Sequence, residues 1–141
     1  MFPYLSFMTF FPVVGALFIL FVPKSKERWV KWIALLVTIP PLVAAAKLYF
    51  LFDRTSAALQ FVEGPLAWIP AFHINYMMGV DGLSVTMILL TALLSPICIL
   101  ASWGIEKQIK GYFVLFLLLH VGMMGVFCAL DFFLFYVFWE V

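Results

Sequence analysis

Two carboxylates nine positions apart bracket an unbroken apolar and aromatic run: Asp131, then Phe132-Phe133-Leu134-Phe135-Tyr136-Val137-Phe138-Trp139, then Glu140. An aspartate accepts hydrogen bonds from the unpaired N–H groups that open a helix, so Asp131 reads as the cap of a helix entering a membrane. At ~1.5 Å of rise per residue Glu140 then lies ~13 Å further in, close to the midplane of a ~30 Å hydrocarbon layer. A carboxyl group at that depth costs roughly 2.5–3.5 kcal/mol to insert, and the acidic residues retained there mark ion or proton pathways. Desolvation strengthens a carboxyl group's hold on its proton and a nearby ammonium weakens it, so a buried glutamate facing a movable lysine can load and release one. The competing reading has Glu140 end a short interfacial helix in water.

His120 is the second candidate, halfway along another apolar run. An imidazole can relay protons because its pKa lies close to physiological pH, and it can equally serve as a satisfied hydrogen-bond partner between helices. Both readings stay open. Ser84, Thr91, Ser95 and Ser102 follow at spacings of seven, four and seven, which puts them on one helix face, either lining water or bonding to backbone and neighbouring helices. Lys47 sits near the outer end of its run, where its stem can snorkel to the headgroups. The lysine that would face Glu140 is therefore expected from beyond residue 141. Cys98 and Cys128 both fall in apolar runs and read as small buried side chains rather than a disulfide or metal site. No nucleophile–base pair, phosphate-cradling glycine loop or metal-ligand spacing is legible, so no catalytic centre is expected in this chain.

The elements that must position these residues follow from composition. Hydrophobic residues make up 67% of the 141, charged residues only 11%, and there are 17 phenylalanines. Soluble domains carry about twice that share of charge. The expected fold class is an all-α polytopic membrane protein. Four complete transmembrane helices are predicted over about 3–22, 29–52, 81–103 and 111–130, with the start of a fifth over 131–141, all in a single membrane region spanning 1–141. Eleven residues fall short of the ~20 needed to span, so the fifth helix is expected to be completed by further sequence or by another chain. Pro12, the pair Pro40-Pro41, and Pro96 lie well inside spans, and each frees a carbonyl four residues back, either as hinges beside a hydrated path or as kinks that shape packing. Gly122, Gly125 and Ala129 form a small-residue face that permits close helix contact.

Orientation is read from Lys24, Lys26, Arg28, Lys31, Lys107 and Lys110, six basic residues in the first and third connections against Arg54 and Lys47 on the other side. Positive charge favours the cytoplasmic side, which puts the N-terminus outside and the basic connections toward the cytoplasm or an organelle matrix. The outer connection 53–80 carries Glu63-Gly64-Pro65 as turn chemistry between Leu59–Val62 and Leu66–Ile69, followed by an alternating extended segment. That pattern predicts a small β-hairpin. His73 falls in the same connection and reads as structural. Net charge of +1 says nothing about nucleic acid, so the placement of the charges matters more than their sum, and no nucleic-acid partner is expected.

Ile74-Asn75-Tyr76, Gly79-Val80-Asp81-Gly82-Leu83-Ser84, the run Leu89–Trp103, and Gly125-Val126-Phe127 with Ala129-Leu130-Asp131-Phe132 and Phe135-Tyr136-Val137-Phe138-Trp139-Glu140, in this order, resemble one family. It is the subunit M family of proton-pumping NADH:quinone oxidoreductase, respiratory complex I, whose mitochondrial counterpart is called chain 4. The resemblance covers most of the chain and is weakest before residue 58. It implies an antiporter-like membrane subunit of about fourteen helices built from inverted repeats, one helix of each repeat being broken. It further implies a central glutamate on the fifth helix, matched here by Glu140, paired with a lysine on the seventh, which these residues do not include. Partners would be the lipid bilayer and the other membrane subunits of the complex, neighbouring antiporter-like ones among them. Flavin, iron–sulfur clusters and quinone would belong to other subunits, with no cofactor in this chain. His120 is not carried over from the family pattern and rests on its own residue-level reading. A subunit of a related multisubunit cation/proton antiporter, and a scaffold fragment that carries no protons, are the alternatives.

Overall fold

The computed structural model describes residues 2–141. Its helices are α1 (Tyr4–Phe21), α2 (Glu27–Leu51), α3 (Gly82–Ala101), α4 (Ile109–Cys128) and α5 (Phe132–Glu140), and between α2 and α3 lie the strands β1 (Gln60–Ile69) and β2 (Ile74–Val80). The first four helices are each long and apolar enough to cross a membrane, and α5 is short. Every expected span is present, with ends displaced by a few residues at most. Pro12, Pro40, Pro41 and Pro96 sit inside continuous helices rather than ending them.

Consecutive long helices run antiparallel. The connections after α1 and after α3 therefore gather at one end, called the inner end here, while the hairpin and the α4–α5 link gather at the other. Two lysines tie the inner end together. Lys31 Nζ donates to the Trp103 carbonyl oxygen at 2.6 Å, and Lys110 Nζ to that of Leu20 at 3.0 Å. Both place a cation on the unpaired carbonyls that close a helix, where the backbone dipole favours it.

Among lipid tails apolar burial drives little, so helix association depends on close packing. Two contacts are closest. A Cβ on Gly15 would lie 2.5 Å from the Val37 methyls, and one on Gly125 would lie 2.2 Å from the Phe138 ring. Gly122 and Gly125 thus receive α5 as a small-residue face should. Ala129 does not share that face, because α4 ends at Cys128 and Ala129 is already extended, bridging to Met78 of β2. Cys128 is buried, whereas Cys98 is exposed with Leu94 and Ile97 on the outward face of α3, which corrects its expected burial.

The outer connection does form a two-stranded antiparallel hairpin, but the turn is not where Glu63-Gly64-Pro65 would put it. Those residues lie within β1, at an irregularity between the pairs Glu63–Met78 and Leu66–Tyr76, and the chain reverses instead at Pro70–Phe72 and His73. Gly64 has φ +103°, and a Cβ there would approach the Tyr76 carbonyl oxygen to 2.4 Å. Only glycine fits a backbone of that conformation pressed so close to its neighbour. Turn-forming residue types were doing the work of a bulge.

Candidate functional site

Glu140 is the last residue of α5, and two devices at the outer end fix where that helix starts. Asp131 accepts from the Phe133 N–H at 2.9 Å and the Leu134 N–H at 3.2 Å through one carboxylate oxygen, and from the Asn75 N–H at 3.3 Å through the other. The link before it is pinned to β2 by a hydrogen bond from the Leu130 N–H to the Met77 carbonyl oxygen at 3.0 Å. From there α5 runs down the outside of α4. Leu134 and Phe138 are buried, Phe138 lies over Gly122 and Gly125, and its ring centroid is 6.0 Å from that of Phe10 on α1.

The far end of α5 reaches Gly122, six residues from the outer end of α4: a Cβ on Gly122 would be 3.5 Å from that of Val141. A cavity of about 280 Å³ between Leu119, Met123 and Trp139 lies at the same level. Glu140 itself is exposed, on the face it shares with Phe133 and Tyr136, which are 40% and 53% exposed. The helical repeat that turns Leu134 and Phe138 inward turns this face away from the four-helix bundle. Lys47 does not approach it. That lysine is exposed near the outer end of α2, with Nζ 5.3 Å from the centre of the Tyr4 ring.

His120 has the opposite setting. It is only 2% exposed, and Nδ1 lies 2.5 Å from Ser95 Oγ. Ser95 also donates to the Thr91 carbonyl oxygen at 2.8 Å, and Thr91 Oγ1 to that of Met87 at 2.9 Å. Of the polar stripe on α3, then, Thr91 and Ser95 are buried and bonded, whereas Ser84 serves the helix start and Ser102 pairs with Tyr112 at 2.7 Å. His120 and Gly122 are two residues apart on α4, about 200° around the helix, so the imidazole and α5 occupy opposite sides of it. No direct relay between His120 and Glu140 is built within these residues.

One role, that of Glu63, escaped the sequence reading, which took it only as turn chemistry. Glu63 of β1 reaches over the start of α1, where Oε1 accepts from the Leu5 N–H at 2.7 Å and Oε2 from the Ser6 N–H at 3.0 Å and from the Ser6 hydroxyl. Ser6 Oγ is in turn 2.6 Å from the Tyr76 hydroxyl, whose pKa burial pushes above the usual 10.0. The available signal was negative. Helix α1 opens at Pro3-Tyr4 with no side-chain cap of its own, so its first N–H groups require an acceptor from elsewhere. Among the described residues no group of three His, Cys, Asp or Glu is placed to hold a metal ion.

A family model described as "NADH-ubiquinone oxidoreductase chain 4, amino terminus" matches residues 7–130. NADH-ubiquinone oxidoreductase chain 4 of Arabidopsis thaliana is 40% identical over 96% of this chain and 28% of its own length. NADH-quinone oxidoreductase subunit M of Rhodobacter capsulatus is 39% identical over 96% of this chain and 27% of its own length. For NAD(P)H-quinone oxidoreductase chain 4 of Prochlorococcus marinus the identity is 36%, over 99% of this chain and 26% of the relative. The chain thus spans about a quarter of the length of the curated relatives it matches. With the family model covering nearly all of α1 to α4 and the link to α5, the chain belongs to the NADH-ubiquinone oxidoreductase chain 4, or subunit M, family.

Proposed function

We propose that these residues are part of a membrane-arm subunit of proton-translocating NADH:quinone oxidoreductase, and that Glu140 is a carboxylate through which the subunit moves protons. The observation that carries this reading is the placement of α5. A helix capped by Asp131 at the outer end runs inward along α4 as far as Gly122 and presents Glu140 on a face the first four helices leave uncovered. A carboxyl group at that depth needs a cationic or hydrogen-bonding partner to be tolerated. The uncovered face supplies room for one from the rest of the subunit, and a lysine there would raise or lower the group's hold on its proton as it moved.

In this reading the redox chemistry, with its flavin, iron–sulfur clusters and quinone, belongs to other subunits, and this chain binds none of these cofactors. Its partners are the neighbouring membrane subunits and the bilayer. The inner end, with Lys24, Lys26, Arg28, Lys31, Lys107 and Lys110, faces the cytoplasm of a bacterium or the matrix of a mitochondrion, and the N-terminus faces outward. His120 is a candidate relay on the other side of α4.

The test is Glu140→Gln in the intact subunit, assembled in its enzyme and reconstituted in vesicles. NADH oxidation and proton uptake are measured together. The expected result is a clear fall in protons moved per NADH, because proton transfer through this subunit slows by about a hundredfold, the low end of what a positioned proton-transfer group contributes. Undiminished pumping removes the role of Glu140.

A further inference from the structure

The buried core of the four long helices is divided. One cluster, with Leu5, Met8, Leu48, Ile88 and Met124, fills the outer half, and another, with Ile19, Ala34, Ile99, Phe113 and Leu117, fills the inner half. Between them along the helices come Pro12 on α1, Thr38 and Pro41 on α2, Ser95 and Pro96 on α3, and His120 on α4, all buried. Each proline lacks the N–H that would bond the carbonyl four residues earlier, so Met8, Val37 and Ala92 lose a helix donor there. The bundle therefore has a polar waist.

The hydrogen bonds of His120 decide what it can bind. Ser95 has one hydroxyl proton and directs it to the Thr91 carbonyl oxygen, so toward Nδ1 its oxygen is the acceptor. The imidazole proton then sits on Nδ1, an assignment inferred from the network. Nε2 is left with a lone pair, buried, and no protein donor among the described residues reaches it. A bare acceptor inside apolar surroundings is unfavourable until a donor arrives. Because the nitrogen is enclosed by helices of this chain, no side chain from a neighbouring subunit can be that donor without parting them. The donor must be small, and it must itself accept or donate further bonds in the same layer.

We propose that His120 Nε2 binds one internal water at the waist of the bundle, accepting a hydrogen bond from it. The water's second O–H goes to an acceptor of the layer, the kind of group that Pro41 and Pro96 leave on α2 and α3. Thr9, Thr38, Thr91 and Ser95 are the other buried polar side chains among the described residues, and none is charged, so the site holds a neutral molecule. It does not depend on the role given to Glu140.

The intact enzyme tests this without mutation. A density map sharp enough to resolve ordered water elsewhere in the membrane region is expected to carry a peak about 2.7–3.2 Å from Nε2, hydrogen-bond range. Solid-state NMR of the histidine-¹⁵N-labelled enzyme, with the His120 signals assigned by their loss in His120→Gln, is expected to show a protonated Nδ1 and a bare Nε2 that receives magnetisation from water. A dry Nε2 in the map, or the proton on Nε2 with no transfer from water, overturns the proposal. Water at Nε2 together with unchanged pumping in Glu140→Gln would keep this site and remove the transport role. The reverse pair of results would do the opposite.

Discussion

Glu140 and His120 lie against the same stretch of α4 and share almost nothing else. The histidine is enclosed by helices of this chain, with its ring oriented by Ser95. The glutamate is carried on an outer helix and is exposed, on a face the first four helices leave uncovered. The difference comes from angle rather than depth, because two residues of a helix are enough to turn one side chain into the bundle and leave the next interface outside it. Depth alone, the quantity an apolar run encodes most directly, does not say which partner a membrane ionisable group will have. The two groups should therefore respond separately to perturbation, one through α5 and the other through α3.

The largest separation is expected from Gly125→Leu. A Cβ there already meets the Phe138 ring at 2.2 Å, so a leucine displaces α5 outright. Overpacking of this kind costs about 1–3 kcal/mol even where the structure can relax, and here the helix that carries Glu140 must move. Assembly of the intact subunit should fall and pumping should be lost, while the ¹⁵N signature of His120, on the opposite face of α4, stays in place. Disturbance of both groups together would show that the bundle responds as one unit.

Glu63→Ala comes next, because it removes a cap from α1 without touching either group. Two N–H donors, on Leu5 and Ser6, lose a charged acceptor. Hydrogen bonds to charged groups contribute about 1.5–3 kcal/mol, and part of this loss is recovered by water at the outer surface. A drop of a few degrees in the thermal midpoint of the intact subunit is expected, with Glu63→Gln intermediate because its carbonyl oxygen can still accept from Leu5. An unchanged midpoint would mean that the hairpin rests on α1 without holding it.

Glu63 also marks where the sequence stops being legible. The spans, the Asp131 cap and the receiving glycines follow from short-range patterns, namely apolar length, an aspartate before an apolar run, and small residues at a helical spacing. All of these lie within one element and its ends. The cap that Glu63 provides spans 58 positions, and Glu63-Gly64-Pro65 has the composition of a turn whether it reverses the chain or bulges a strand. The site is legible to the same extent. Asp131 predicts where α5 starts, but the exposure of Glu140 depends on α5 packing through Leu134 and Phe138. Halfway along a span is enough to place His120 at the waist, and the bond to Ser95, 25 positions away, comes only from the pairing of α3 with α4.

The smallest effect sharpens the comparison between α3, which orients His120, and α5, which carries Glu140. Helix α3 starts at Asp81, whose carboxylate accepts from the Ser84 N–H at 2.7 Å and is held by that bond below the usual 3.8. A carboxyl group with a depressed folded-state pKa stabilises the fold above its unfolded pKa, and the contribution is lost as pH falls through the lower, folded value. Asp81→Asn keeps an oxygen to accept from Ser84 but gives up the charge at the helix start, worth about 0.3–1 kcal/mol at an exposed end. Thermal midpoints of the intact subunit should therefore differ by a degree or two at neutral pH and converge as the pH drops below 3.8. Because the cap acts at the outer end of α3, several turns from Ser95, the ¹⁵N signals of His120 should be the same in the variant throughout. A change in those signals on removing one charge at the helix start would mean that the waist of the bundle is set by the register of α3 rather than by its local contacts, and Glu140 on the separately capped α5 should then be unaffected.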